Sequence, residues 1–500
     1  MSFTDPQGGV TNYVHDSLNR ETSLTDFSSR TFTFGYDALG LRTNLTRPNG
    51  VNTNYAYDNL SRLLSVSHLA GSSALDGATY SYDAAGNRTS KTSLLSNITS
   101  AFTYDPTYQL LNMAQGAQTK ENYTYDPVGN RLSSPGAPYT YNSSNEMTAR
   151  EGVPYSYDSN GNRTAKTNGG GTTTYNWDFE NRLTSVVLPG TGGAVSLKYD
   201  PFGRRIEKTS PSGSTIYVYD GDDIIEELNA DGSIGERYTN GSGIDEPLVG
   251  QRQPKIFYYE ADGLGSVTSL TDPTGAVAAT YTYDSFGFMT ASMGSATNWY
   301  RYTARQFDSD TALYYYRARY YDPTVGRFLS EDPIKFDGGV NFYAYVSNNP
   351  VIFLDPFGYF EKQFPTTWTK VPGMGSSGST IPHQLELFET CVCQGNGHYK
   401  LQLKLVEPLD VTYTDQDALR HEQRHVSLTK NFWNEHSLTY EHYEETFPSD
   451  ADCEYAKKAT LANVNTQLRR DSNLLNVEQN QTEDAVERAW NFVRWFLTGR

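Results

Sequence analysis

A short unit recurs along the first part of this 500-residue chain: usually an aromatic residue, then any residue, then Tyr or Trp followed by Asp. The copies that we recognise end at Asp37, Asp58, Asp83, Asp105, Asp126, Asp158, Asp178, Asp200, Asp220 and Asp284. From Asp37 to Asp126 the successive spacings are 21, 25, 22 and 21 residues. A nearly fixed period of this length indicates stacked supersecondary units, none of which buries its apolar face alone.

Each unit has the pattern of a β-hairpin. In one copy, Tyr80 and Tyr82 alternate on one face of a strand, and Asp83 opens a turn. Gly86 and Asn87 then tolerate positive φ, and the polar, β-branched residues that follow favour a return strand. A row of such hairpins predicts an all-β fold, a long and curled antiparallel sheet. Because the aspartates recur at the same turn, we interpret them as structural rather than as catalytic or calcium-binding residues.

Composition favours an ordered chain and excludes some functions. Apolar residues make up only 37%, but 38 tyrosines can each bury a large area, which argues against disorder. The formal charge of −18 argues against nucleic acid as a partner, because a phosphate backbone requires a basic surface. No stretch approaches the ~18 uncharged apolar residues of a membrane span. Residues 1–6 lack the features of a secretory signal peptide, so export is expected to need another route.

The repeats resemble the YD repeats of the RHS family, which includes bacterial polymorphic toxins. The resemblance is most specific over residues 314–334 and 341–358, which are similar to the RHS core segment. It implies that the chain is secreted, or delivered into target cells by a specialised secretion system, and that an immunity protein protects the producer. The domains expected from it are a β-cocoon-like shell at 1–300, a core segment at 301–359, a linker at 360–380 and a C-terminal toxin domain at 381–500.

Two Asp-Pro pairs, beginning at Asp332 and Asp355, lie in the second half of the core segment. The resemblance implies that these aspartates cleave the chain between Tyr359 and Phe360. The chemistry is plausible because two neighbouring carboxylates cannot easily both ionise, which leaves one acid and one base to activate water. Lys335 stands where the family usually has Gly, and we expect its charge to favour the ionised form of both carboxyls.

The C-terminal part contains one sharp motif, the HExxH sequence from His421 to His425. It falls on a predicted helix that begins with the capping pattern of Thr414 and Asp417. Positions i and i+4 lie on one helix face, so His421 and His425 can bind one Zn²⁺. Glu422 is then the residue that takes a proton from water. A predicted β-hairpin around residues 395–397 precedes this helix, which favours a small α+β zincin-like domain.

The third zinc ligand is less tightly defined by the sequence. A metzincin is excluded because Leu428 and Asn431 stand where that pattern needs Gly and His. A glutamate from a following helix is favoured, and Glu454 is the preferred candidate. The remaining candidates are Glu445, Glu444, His436 and His442. A disulfide between Cys453 and either Cys391 or Cys393 is a further possibility outside a reducing compartment.

We therefore predict an RHS-repeat toxin whose tail is a zinc-dependent peptidase acting on a protein substrate in the target cell, released by aspartyl self-cleavage. One alternative is a cell-surface YD-repeat binding protein with a non-catalytic tail. Another is a toxin with a different hydrolase activity, such as a nuclease. The 20 acidic and 14 basic residues of the tail argue against a nuclease.

Overall fold

The computed structural model describes residues 1–134, 136–359, 386–393, 398–406 and 444–446. None of these residues forms an α-helix, and nearly all regular structure is antiparallel β-sheet, as predicted. The chain divides into two compact units, Met1–Val371 and Pro372–Arg500. The division falls within the stretch expected to be a linker.

The first unit begins with a twelve-stranded sheet in which every strand pairs antiparallel with the next one along the chain. Its strands are β1 (Ser2–Thr4), β2 (Val10–His15), β3 (Glu21–Thr25), β4 (Thr31–Tyr36), β5 (Arg42–Thr46), β6 (Val51–Tyr57), β7 (Leu63–Ala70), β8 (Ser73–Tyr82), β9 (Arg88–Ser93), β10 (Thr99–Tyr104), β11 (Leu110–Gln115) and β12 (Gln118–Asn122).

An eighteen-stranded sheet continues the same hairpin order. Its strands are β13 (Thr124–Tyr125), β14 (Arg131–Ser134), β15 (Ala137–Tyr141), β16 (Met147–Arg150), β17 (Val153–Tyr157), β18 (Arg163–Asn168), β19 (Gly171–Trp177), β20 (Leu183–Val187), β21 (Ala194–Tyr199), β22 (Arg205–Ser210), β23 (Gly213–Asp220), β24 (Asp223–Asn229), β25 (Ile234–Asn240), β26 (Pro247–Arg252), β27 (Lys255–Ala261), β28 (Val267–Thr271), β29 (Val277–Tyr283) and β30 (Met289–Gly294).

The core segment forms a smaller sheet of four antiparallel strands and three short 3₁₀ turns. The strands are β31 (Gln306–Asp308), β32 (Leu313–Tyr316), β33 (Arg319–Asp322) and β34 (Arg327–Phe328), and the 3₁₀ turns are Tyr302–Ala304, Lys335–Gly338 and Val346–Asn348.

The repeated aspartates close their own turns. The Asp37 backbone N–H donates to the Leu41 carbonyl at 2.9 Å, and its carboxylate accepts the N–H groups of Leu39 and Leu41 at 2.9 Å. Gly40 completes this turn with a φ of 84°. The carboxylate thus satisfies donors that the tight turn would otherwise leave unpaired. This geometry agrees with the structural interpretation of the repeat.

The tyrosine before many of these turns has a role that the sequence did not reveal. Its hydroxyl reaches back across the sheet to a main-chain carbonyl about one hairpin earlier in the chain. Tyr36 donates to Glu21, Tyr57 to Arg42, Tyr82 to Leu63, Tyr125 to Leu110 and Tyr283 to Val267, at 2.7–3.0 Å. Each ring therefore joins its own hairpin to the preceding one, which explains why a phenol, rather than any aromatic ring, predominates.

The two large sheets pack on one another within the first unit. Arg47 donates to the Tyr259 carbonyl at 2.8 Å, and the Tyr80 hydroxyl accepts the Gly263 N–H at 2.9 Å. These contacts join residues roughly 180–210 positions apart in the chain. The hairpin array therefore folds back so that later strands lie against earlier ones.

The core segment packs against both sheets. Tyr314, Tyr316 and Tyr321 share a cluster with residues of β10 and β11, and Tyr315 and Tyr320 lie in a second cluster with residues of β19–β21. Adjacent residues of one short strand thus bury their rings in different clusters, because successive strand residues point to opposite faces.

The described part of the second unit is a three-stranded antiparallel sheet. Strand β35 (Glu386–Cys393) pairs with β36 (His398–Val406), which confirms the predicted hairpin. Strand β37 (Glu444–Thr446) pairs with the start of β36. Glu444 and Glu445 therefore lie on a strand, whereas a ligand from a helix was expected.

Candidate self-cleavage site in the core segment

The candidate site is built on the hairpin of β32 and β33. Its two-residue turn is formed by Arg317, with a φ of 55°, and Ala318. The Ala318 N–H donates to the Phe357 carbonyl at 3.1 Å, which ties the segment after Asp355 to this hairpin. Arg319, the first residue of β33, follows immediately and directs its guanidinium toward both Asp-Pro pairs.

The carboxylates of Asp332 and Asp355 both contact the same nitrogen of Arg319. Arg319 Nη2 lies 2.9 Å from Asp332 Oδ2 and 3.2 Å from Asp355 Oδ2. The three side chains are 1–3% exposed. The structure therefore brings together two residues 23 positions apart, as the resemblance implies, in a place from which bulk water is largely excluded.

The same arginine holds the chain next to the predicted cleavage point. Arg319 Nε donates to the Gly358 carbonyl at 2.5 Å. Gly358 has a φ of 71°, and a Cβ at this position would overlap the Tyr316 carbonyl oxygen. Only glycine fits both the positive φ and the close approach. Tyr359, the residue before the predicted break, is 37% exposed.

One guanidinium faces two carboxylates in this cluster. Burial lowers the pKa of Arg319, and Asp332 and Asp355 oppose that shift. Arg319 is thus shared by two buried carboxylates, and the charge of Arg305 also acts on Asp355. The arrangement places two carboxyl groups at one guanidinium, which is the pair of groups that acid–base catalysis by aspartates uses.

The cation at the pair is not the one expected from the sequence. Lys335 Nζ donates to Glu331 at 2.6 Å, and the lysine side chain is 55% exposed. Its charge is directed to the half-buried carboxylate of Glu331, while Arg319 contacts both aspartates. The available signal was the Arg-Ala-Arg sequence at residues 317–319, which stands between runs of tyrosine.

The predicted zinc-site residues lie outside the described part of the chain, except for Glu444 and Glu445. This applies to His421, Glu422, His425 and Glu454, and also to Phe360. Within the residues that the structure describes, no group of three or more His, Cys, Asp or Glu is arranged to hold a metal ion. Zinc binding by the HExxH motif therefore stays a prediction.

An array of antiparallel hairpins closed by a tyrosine-rich core segment defines a class of repeat-built β-shell proteins. The model of the Teneurin YD-shell family matches residues 95–351, more than half of the chain, and the RHS repeat matches residues 36–74. The chain belongs to the YD-shell family. No helix in the described residues is long and apolar enough to cross a membrane.

Several relatives carry the names of toxins or nucleases. The chain is 35% identical over 291 residues to the tRNA nuclease WapA of Bacillus subtilis, covering 56% of this chain and 11% of that protein. It is 36% identical over 113 residues to the double-stranded DNA deaminase toxin A of Burkholderia cenocepacia, and 32% over 118 residues to the toxin protein Tse5 of Pseudomonas aeruginosa. These matches cover 22% and 23% of this chain and 8% and 9% of the relatives. The chain thus matches only about a tenth of the length of each relative.

Solved structures show the same fold at low sequence identity. A Photorhabdus luminescens Tc holotoxin pore matches with a TM-score of 0.61 and 21% identity, over 74% of this chain and 21% of that one. A TcdB2-TccC3-TEV crystal structure matches with a TM-score of 0.59 and 22% identity, over 72% and 21%. At this level of identity, the likeness establishes the fold alone.

Proposed function

We propose that this chain is a toxin of the YD-shell family that cuts itself between Tyr359 and Phe360 and thereby releases residues 360–500. The observation that carries the proposal is the contact of Asp332 and Asp355 with one nitrogen of Arg319. The same guanidinium holds the carbonyl of Gly358, one residue before the predicted break.

The reaction is a hydrolysis in which the two aspartates exchange protons with water and the peptide. The ionised carboxylate accepts a proton as water adds to the Tyr359 carbonyl carbon. The protonated carboxyl donates to the peptide, the carbon–nitrogen bond breaks, and the proton ends on the new amine of Phe360. Arg319 orients both carboxyls and, through Gly358, fixes the chain beside them.

Electrophoresis of the purified full-length chain tests this proposal. We expect two fragments from the wild type and one intact chain from Asp332→Asn and from Asp355→Asn, because an amide neither accepts nor donates the required protons. Asp231→Asn, which changes an exposed turn aspartate in the same way, is the matched control and should still cleave. An intact wild-type chain, or cleavage that persists in both active-site variants, would contradict the proposal.

The toxin role is supported by the names of the relatives. In this proposal, the released tail is the effector, the chain is delivered into a target cell, and an immunity protein protects the producer. Because the chain matches a small part of each relative, their activities are not assigned to it. A growth assay of cells that express residues 360–500 tests the effector role, which requires growth inhibition.

For the tail itself we propose a zinc-dependent peptidase that acts on a protein of the target cell. The support is the HExxH motif, in which His421 and His425 would hold the metal and Glu422 would handle the proton. Zinc would act as a Lewis acid toward a peptide carbonyl. The competing proposal is a nuclease or deaminase, the activities named for two of the relatives.

The released fragment separates these alternatives. We expect about one zinc per fragment and a loss of toxicity in Glu422→Gln, with Glu435→Gln as a control of the same chemistry outside the motif. A fragment without zinc, or undiminished toxicity of Glu422→Gln, would reject the peptidase. Loss or modification of cellular nucleic acid in that case would favour the competing proposal.

A further inference from the structure

The loop between β25 and β26, residues 241–246, joins three parts of the first unit. Asp245 pairs with Arg305 and, through both carboxylate oxygens, with Arg317 at 2.7 and 2.8 Å. Glu246 pairs with Arg42 of the first sheet. One short loop therefore contacts the first sheet and the core segment with two successive carboxylates.

Arg317 connects Asp245 to the cleavage segment. Its Nη1 donates both to Asp245 and to the carbonyl of Pro356, the residue after Asp355. Its guanidinium also lies over the Phe357 ring, 5.3 Å from the centroid. The planar fork of arginine fixes direction as well as distance, so a carboxylate that orients Arg317 also orients the Pro356 carbonyl.

Asp245 also balances two buried cations near the aspartate pair. Arg305 is 5% exposed and Arg317 13%, and both face the carboxylate of Asp245. Burial and the charge of Arg317 lower the pKa of Arg305 to about 9, while Tyr316, Asp355 and Tyr345 oppose this shift. The charge of Arg305 is thus felt at Asp355.

The backbone conformation of Asp245 is also unusual. Its φ is 52°, in the left-handed region, where Asp and Asn are tolerated better than most residues. Its N–H donates to Asp223 Oδ1 at 3.2 Å, which helps to hold this conformation. Strained residues persist where the surrounding contacts determine them, and they cluster at functional sites.

We propose that Asp245 is a positioning residue for self-cleavage, so that the cut is made only when the 241–246 loop has docked on the core segment. Asp245 aligns Arg317 on the Pro356 carbonyl and neutralises the arginines beside Asp355. Because Glu246 anchors the same loop to the first sheet, cleavage is coupled to completed packing of the two sheets. This inference rests on the proposed self-cleavage.

The test follows self-cleavage during cell-free synthesis of the full-length chain at several pH values. Asp245→Asn keeps the left-handed backbone but removes the charge. We expect cleavage to be about tenfold slower at neutral pH, because Arg317 loses the carboxylate that aligns it on the Pro356 carbonyl. Arg305 and Arg317 then lack their carboxylate, and this added positive charge should move the pH optimum of cleavage lower. The groups that face Asp355 in this balance are Arg305, Arg319, Asp332 and Tyr345.

A charge-restoring variant distinguishes positioning from a merely structural role. Adding Arg305→Met to Asp245→Asn removes the uncompensated charge and should return the pH optimum to that of the wild type. Asp231→Asn is the control and should match the wild type in rate and optimum. Resistance of the shell to added protease checks that each variant folds, and Asp245→Gly serves as a second variant that permits the positive φ.

The possible outcomes separate the two proposals. If Asp245→Asn cleaves at the wild-type rate and with the wild-type pH optimum, the positioning role is overturned. It is also overturned if Asp245→Asn cleaves more slowly and adding Arg305→Met does not move the pH optimum. If both Asp245 variants lose protease resistance, Asp245 is a folding residue and the inference fails. Asp355→Asn is expected to stay intact in this assay. If the wild type also stays intact, the proposed self-cleavage itself is rejected, and the role of Asp245 is rejected with it.

Discussion

Aspartates of the repeat turns and of the core segment have the same chemistry but different environments. Asp58, in a repeat turn, is 19% exposed and accepts the N–H groups of Leu60 and Arg62 within its own loop. Asp332 and Asp355 are 3% and 1% exposed and share Arg319. Asp332 also accepts the N–H of Ile334 within its own turn, at 3.1 Å. The difference is therefore that the core-segment carboxylates are buried and gain a partner from a distant part of the chain.

The largest effect is expected when the shared cation is removed. Arg319→Met leaves two buried carboxylates without their arginine, which should abolish cleavage and lower the free energy of unfolding by about 3–5 kcal/mol. Arg62→Met removes the partner of the half-buried Asp58 and should cost at most about 1 kcal/mol. Denaturant unfolding of both variants measures the contrast, and equal losses would break the comparison.

The glycines of the two regions should also differ. Gly358→Ala forces a Cβ onto the Tyr316 carbonyl at positive φ, and we expect a loss of about 2–4 kcal/mol together with impaired cleavage. At Gly40, with a φ of 84°, the nearest atom lies 4.0 Å from the added Cβ. Gly40→Ala should therefore cost only the φ strain, about 1–2 kcal/mol, and leave cleavage intact. Cleavage by Gly358→Ala at the normal rate would contradict the assigned role of Gly358.

A pH series sharpens the comparison between two turns whose carboxyl pKa values shift in opposite directions. Burial and neighbouring Glu121 raise the pKa of Asp284 to about 7. The contribution of the neutral Asp284 carboxyl to the free energy of unfolding is fully present at low pH. It is lost as the pH rises toward 7. Asp284→Asn should therefore stabilise the chain above pH 7 by at least about 1 kcal/mol, with no gain at a pH below the ordinary carboxyl value.

Asp58→Asn should show the opposite sign in the same pH series. Burial acts to raise the pKa of Asp58, but hydrogen bonds from Arg62 and Leu60 outweigh it and lower the pKa. The stability gained from ionised Asp58 is present at neutral pH and lost as the pH falls through the lowered pKa. A destabilising effect of Asp284→Asn at high pH would refute this difference between the turns.

The smallest effect is expected at the tyrosine hydroxyls of the repeats. Tyr82→Phe removes the donor to the Leu63 carbonyl at 2.7 Å and should cost about 1 kcal/mol. Tyr108 is 52% exposed, and Tyr108→Phe is the matched control, with no change expected. Thermal unfolding of the two variants measures the difference, and equal melting temperatures would show that the cross-hairpin bond contributes nothing.

The features that could be predicted from the sequence are those that depend on residues close together in the chain. Hairpins were predictable because the alternation around Tyr82 and the turn after Asp83 involve neighbouring residues. Asp332 and Asp355 were identified through a family resemblance, since nothing in their spacing shows that they meet. Arg319 was missed because its role depends on contacts with residues 13 and 36 positions away. Asp245 lies still farther from its arginines, at 60 and 72 positions.

The central claim is that Asp332 and Asp355 cut the chain after Tyr359. Mass spectrometry of the purified full-length chain tests it most directly, because the masses locate the broken bond. The account predicts two wild-type products, one ending at Tyr359 and the other beginning at Phe360, and a single intact chain for Asp355→Asn. An intact wild-type chain, a break at another bond, or the same two products from Asp355→Asn would contradict it.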